Sequence, residues 1–274
     1  HIGNYLGSVK NMVYLQAQKD IQGMFFVADL HSLTSFLSHK SQSSSESIYQ
    51  NSLSLFALYI ACGIDPKKSI IFLQSQVPMH LELYWILACL TPSHKLNVMT
   101  QYKSKKEIAN LGLYGYPALM AADILLYNSD IVSVGEDQTQ HLEIANFLAQ
   151  RINNVMGRDI VKLPKPYKSR TPKIYALHDF PRKMSKTDME DKDRINMLDS
   201  PDVISNKIMN AKTDMNFNFT KDADRSLLNN LVSIYSEFAD CSKESVYDQF
   251  EGKNLLDFKK ALSDIVVSKI CIIQ

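Results

Sequence analysis

The sequence has no apolar run approaching the roughly 18 residues that a membrane-spanning helix needs, so a membrane role is not expected. The start shows no charged segment followed by an apolar core and a small-residue cleavage site, so no secretory or transit segment is read there. Cysteine is sparse. Cys62, Cys89, Cys241 and Cys271 lie far apart and form no C-x-x-C pair. That spacing supports neither a disulfide framework nor a zinc site, and it fits reduced thiols inside a cell. Charge of one sign is also missing: 30 Lys and Arg stand against 29 Asp and Glu, for a net charge of +1. Wholesale electrostatic binding of nucleic acid is therefore not implied. No internal repeat is visible.

What is present is an ordinary globular composition, 45% hydrophobic and 22% charged over 274 residues, long enough for two domains. The charges are unevenly placed. Arg158, Lys162, Lys165, Lys168, Arg170, Lys173, Arg182, Lys183 and Lys186 face only Asp159 and Asp179, and an acidic run from Asp188 to Asp202 follows. The strip is either a local anion site or a solvated surface.

The first half alternates strand and helix patterns. Short apolar runs at 23–29, 69–74 and 131–134 read as buried strands. Helical patterns lie at 4–18, 46–62, 79–90, 117–126 and 137–151. The alternation predicts βαβ units with a parallel sheet, and ligands at the carboxyl ends of its strands. The Ser-rich stretch 38–47 reads as an exposed loop. After about Thr187 the strand signals stop, and 201–210, 222–239, 242–250 and 254–270 read as helices. The expected fold is α/β followed by an all-α domain, divided at 187/188.

Four motifs carry chemistry. His1-Ile2-Gly3-Asn4 opens a helix that Asn4 is suited to cap, and such a start binds phosphate well; alone it is equally an ordinary capped helix. Lys183-Met184-Ser185-Lys186 places two lysines within reach of one polyphosphate. Gly135-Glu136-Asp137-Gln138 follows a strand, where carboxylates and free N–H groups can bind a ribose, or merely cap a helix. Tyr116, Met120 and Asp123 share one face of an apolar helix whose first position suits Pro117. Asp123 needs a partner, either a structural ion pair or a ligand.

Read in order, HIGNYLG, ADLHSLT (28–34), QSQVPMH (74–80), YPALMAADILLY (116–127), VGEDQTQHLEI (134–144), KMSKTD (183–188) and AKTD (211–214) resemble the bacterial-type tryptophanyl-tRNA synthetases over essentially the whole chain. The resemblance implies a class I enzyme with a Rossmann-type catalytic domain (1–187) and a helical anticodon-binding domain (188–274), the latter expected to be cut short after Gln274. That family carries a further strand and loop ahead of the HIGN-type motif, whereas this sequence opens at His1. The family works as a cytoplasmic homodimer that joins L-tryptophan to tRNA(Trp) with ATP. Mg2+ is held mainly by the ATP phosphates, and no prosthetic group is used.

By position, His1, Gly3 and Asn4 match the HIGH-type ATP motif. Lys183, Met184, Ser185, Lys186 and Thr187 match the KMSKS loop, with Thr in the last place. Lys183, Lys186, His1 and Asn4 are then the catalytic set. Gly135, Glu136 and Asp137 would hold the ribose, and the Ile174 backbone would meet adenine. Asp123 would accept the indole N–H of tryptophan, with Tyr116, Met120, His31 and Gln138 lining the pocket. The alternatives are a tyrosyl-tRNA synthetase, whose lysine loop is usually of the KFGKS type, and a synthetase-like binding module without catalysis.

Overall fold

The computed structural model describes residues 1–36, 45–97, 99, 110–134, 139–168, 173–185, 190–214, 218–221 and 224–274. In chain order the main elements are α1 (Ile2–Asn4), a π-helical turn (Tyr5–Val9), α2 (Lys10–Gln16), β1 (Gly23–Val27), α3 (Asp29–Phe36), α4 (Ser45–Ala61), β2 (Ser69–Leu73), α5 (Met79–Leu90), α6 (Ser93–Asn97), α7 (Leu111–Leu125), β3 (Ile131–Val134), α8 (Thr139–Met156) and β4 (Lys165–Lys168). The remainder is helical: α9 (Pro201–Asn210), α10 (Ser226–Ala239), α11 (Lys243–Phe250) and α12 (Leu255–Ile273). The chain packs as two compact units, one of residues 15–169 and one of residues 1–14 with 170–274.

In the unit of residues 15–169, β1 and β2 pair in parallel, with Phe26 opposite Phe72 and Val27 opposite Leu73. Parallel neighbours require a long crossover, here supplied by α3 and α4. β3 and β4 form a second parallel pair joined through α8. β4 has no strand signature: its sequence, KPYK, is basic and contains Pro166, which belongs on a sheet edge. It forms because β3 offers it a ladder.

The core of this unit is an alanine-rich seam of α7 (Ala118, Ala121, Ala122) meeting Leu87 of α5 and Leu142, Ala145, Leu148 and Ala149 of α8. Small side chains let the helices approach closely. α7 corrects one expectation: it starts at Leu111, so Pro117 lies inside it and not at its first position. Asn110 caps it, its Oδ1 accepting from Leu113 N at 2.8 Å. Gly112 and Gly115, poor helix formers, concealed this first turn and a half.

A Cβ at Gly115 would sit 2.5 Å from the hydroxyl at the tip of the half-buried Tyr84 side chain, which would have to shift to admit it. Glycine to alanine inside a helix normally stabilises by about 1 kcal/mol. Here the sign should invert: Gly115→Ala is expected to cost roughly 1–3 kcal/mol by overpacking. Chemical denaturation checks this, and a raised midpoint would show that Tyr84 yields freely.

In the other unit, α9 and α10 pack on α12 around Phe219, Tyr235, Phe250 and Phe258, with ring centroids 4.7–5.9 Å apart. Lys259 of α12 is buried and donates to the carbonyls of Met209 (3.0 Å) and Ala211 (2.7 Å), satisfying the end of α9. Burial lowers the pKa of its ammonium. Residues 174–184 form a hairpin in which Ala176 N donates to Arg182 O and Met184 N to Ile174 O, at 2.9 and 3.0 Å. Asn230 of α10 grips its first arm, accepting from Tyr175 N (2.9 Å) and donating to Tyr175 O (3.1 Å).

Candidate functional site

In the unit of residues 15–169, the segments leaving β1 and β2 meet. Asp29 accepts from Ser75 N at 3.0 Å and from the Ser75 hydroxyl at 2.5 Å. The Gln74 amide oxygen accepts from Leu30 N at 3.2 Å. These are the carboxyl ends of adjacent parallel strands, where α/β sheets bind ligands.

Facing this junction from α7 is Asp123, only 5% exposed. Its Oδ1 accepts from Gln74 Nε2 at 2.7 Å and pairs with His80 Nδ1 at 2.6 Å. Its Oδ2 pairs with His31 Nε2 at 2.8 Å. Among the described residues no Lys or Arg pairs with it. A carboxylate offers about four lone-pair sites over two oxygens. Oδ1 has both of its sites occupied, and Oδ2 has one left. Gln74 and His80 are fully buried whereas the His31 side chain is 22% exposed, so Oδ2 is the oxygen on the more open side.

Tyr116 lies beside that side, its ring edge-on to His31 with centroids 6.3 Å apart, and its hydroxyl is hydrogen-bonded to His141 Nε2. Burial pushes the Tyr116 phenol up to about 12, so it remains an O–H group at neutral pH. Met120, one turn before Asp123, is partly buried against the alanine-rich seam.

In the other unit, His1 and the lysine hairpin are neighbours. The cap of α1 is His1 and not Asn4: the imidazole Nδ1 accepts from Asn4 N at 3.3 Å, and Asn4 itself lies within the helix with helical dihedrals. Imidazole can accept at a helix start as a short polar side chain does, a use that motif reading alone does not suggest. A Cβ at Gly3 would lie 3.1 Å from the His1 ring and 3.4 Å from Met184 Cβ, so the first motif packs directly on the lysine motif. Ile174 and Met184 are buried and joined through their backbones, while Lys183 is exposed.

The family model described as tRNA synthetases class I (W and Y) matches residues 1–269. A tryptophan–tRNA ligase of Caldanaerobacter subterraneus subsp. tengcongensis is 43% identical over the whole chain, which covers 83% of that protein. The crystal structure of tryptophanyl-tRNA synthetase from Mycoplasma pneumoniae superposes with a TM-score of 0.86 at 33% identity, covering all of this chain and 83% of that one. The chain belongs to the tryptophanyl-tRNA synthetases, within class I. The Campylobacter jejuni tryptophanyl-tRNA synthetase complexed with ADP and tryptophan is also similar, at 35% identity and a TM-score of 0.80, with the same coverage of both chains. The α/β layout with parallel strand pairs is accordingly the Rossmann type of that family.

Set against the synthetase motifs, the structure brings together Asp123, His31 and Tyr116 in one unit, and His1, Gly3, Ile174, Lys183 and Met184 in the other. Gly135, Glu136, Asp137, Gln138, Lys186 and Thr187 lie outside the described residues, as does most of the Ser-rich stretch 38–47. Gln74, His80, Tyr127 and His141 received no site role from the sequence, yet Gln74 and His80 bound the QSQVPMH segment. A polar residue at each end of a short segment after a buried strand was the available signal.

Proposed function

We infer that this chain activates L-tryptophan with ATP, giving tryptophanyl-adenylate and pyrophosphate, and then transfers tryptophan to tRNA(Trp). Membership of the family supports the reaction class, and the tryptophan–tRNA ligases among its relatives favour this reading over tyrosine activation or a non-catalytic module. The observation that carries the amino-acid identity is the buried Asp123 carboxylate with one acceptor site still open on Oδ2. An indole N–H donates and never accepts, so an ionised carboxylate is its natural partner. Such a bond is worth roughly 1.5–3 kcal/mol. Rejection of phenylalanine exceeds that, because the acceptor would be left unpaired; sites of this kind discriminate by about 10⁴–10⁵.

In the first step a tryptophan carboxylate oxygen attacks the α-phosphorus of ATP as the bond to the β-phosphate breaks. In the second, the 2′-hydroxyl of the terminal tRNA ribose takes the acyl group and AMP leaves. No side chain becomes covalently linked. Lys183 and Lys186 neutralise the departing pyrophosphate, with Met184, Ser185 and Thr187 completing their loop. His1, Gly3 and Asn4 hold phosphate, Gly135, Glu136 and Asp137 hold the ribose, and the Ile174 backbone meets adenine. Tyr116, Met120, His31 and Gln138 line the tryptophan pocket. Mg2+ arrives on the ATP phosphates.

The helical segment 188–274 serves anticodon binding and 1–187 catalysis, acting in the cytoplasm as a homodimer. In support of a partner surface, α4 exposes Tyr49, Leu53 and Ile60, and α5 exposes Ile86 and Trp85, the latter at 68%. ATP–pyrophosphate exchange run with tryptophan, with tyrosine and without amino acid tests the whole reading. Exchange should depend on tryptophan alone; tyrosine-dependent exchange, or none at all, overturns it.

A further inference from the structure

Behind Asp123 the hydrogen-bonded chain continues. His80 is fully buried, with Nδ1 on Asp123 Oδ1 at 2.6 Å and Nε2 on the Tyr127 hydroxyl at 2.8 Å. An ionised carboxylate only accepts, so the hydrogen on Nδ1 is set by Asp123, while Nε2 and the Tyr127 hydroxyl, which can donate or accept, are bonded to each other. Both ends of the imidazole are thereby used and its ring orientation is set.

The walls around it are apolar. Phe26 and Phe72, register partners on β1 and β2, stack on each other at 5.4 Å and lie 5.7 and 6.1 Å from the imidazole centroid. The Tyr127 ring closes the box at 5.5 Å. In such surroundings an unpaired donor or acceptor is costly, so the His80 links have no competing partner to exchange with. The Tyr127 phenol is held above its ordinary pKa, first by burial and then by the Asp123 charge, and keeps its hydrogen.

The geometry points to His80 and Tyr127 as positioning residues for side-chain selection, acting through Asp123. They keep Oδ1 saturated and the carboxylate plane locked, so that only Oδ2 can receive the substrate's N–H. This rests on the reading of Asp123 as the indole acceptor and extends it to a relay that reaches no substrate atom. Gln74 shares the saturation of Oδ1, while the imidazole sets the plane.

The test compares tryptophan with its benzothiophene analogue, in which sulfur replaces the N–H, by kcat/KM in ATP–pyrophosphate exchange. In His80→Leu the preference for tryptophan should fall roughly tenfold or more, the size of a lost hydrogen bond to a charged group, with the KM for ATP unchanged. His80→Asn, whose Nδ2 can stand in for Nδ1, should retain most of the preference. Tyr127→Phe should lose about threefold, since it frees the ring without removing the donor to Asp123.

A merely structural role would weaken both amino acids equally, and an unchanged ratio in His80→Leu and Tyr127→Phe overturns the relay. Asp123→Ala, which removes both acceptor oxygens, is the control. If it abolishes the preference while the His80 and Tyr127 variants keep it, the relay alone fails; if it too keeps the preference, the indole reading fails with it. Should His80→Leu not fold, His80→Asn and Tyr127→Phe still decide the matter.

Discussion

Asp123→Ala is expected to lower kcat/KM for tryptophan by about one to two orders of magnitude while leaving the KM for ATP within about twofold of its original value. Two effects arise, the first on catalysis and the second on the folded state. The indole N–H loses its acceptor, worth roughly 1.5–3 kcal/mol. The donors of Gln74 and His80, both fully buried, then face no acceptor and will turn or draw in water, each at a cost of about 1–3 kcal/mol. The second effect lowers stability, so thermal unfolding should be followed alongside the kinetics. Asp123→Asn separates the two, since an amide keeps the shape and one acceptor but sets its N–H₂ against a donor. Unchanged tryptophan KM and kcat in Asp123→Ala would remove Asp123 from the binding site altogether.

The second large effect is expected from the lysine pair. Lys186→Ala, and to a similar degree Lys183→Ala, should reduce the rate of adenylate formation by about 10²–10³ with ATP affinity changed less than about fivefold. Charge on the departing pyrophosphate grows as the bond to the α-phosphate breaks, so a cation placed for that moment acts on the transition state more than on bound ATP. Lys183 is exposed on a hairpin arm whose next residue, Met184, is buried and bonded to Ile174. The backbone hydrogen bond beside it, Met184 N to Ile174 O, ties this arm of the hairpin to its partner arm. Equal loss of ATP affinity and of rate in pre-steady-state measurements would assign the lysines to ground-state binding.

How far these sites could be read without coordinates differs from residue to residue. Asp123 stood out because a carboxylate among Ala and Leu violates the pattern of its helix. Gln74 and His80 did not stand out, and His31 did so only through the family resemblance: the three come from positions 49, 43 and 92 residues away, and no local rule links them to Asp123. His80 in particular ends an unremarkable segment, and only burial between Phe26 and Phe72 makes its two nitrogens informative. At the other motif, Gly3 and Asn4 suggested a capped helix correctly, but the capping group proved to be the imidazole one turn back. Pro117 misled for a related reason. A proline marks a helix start when propensity decides, and here the packing of α5 and α8 on α7 carried the helix through it.

Periodicity along the chain was enough to locate β1, β2, β3 and α5 nearly to the residue, and the ordered motifs were enough to identify the family, because both are properties of neighbouring residues and side-chain types. Which oxygen of Asp123 remains open, what side chain faces Gly115, and how KPYK becomes a strand were decided only in three dimensions. Each depends on how closely distant segments approach and on which polar groups burial leaves together, and neither quantity is encoded in a local run of residues.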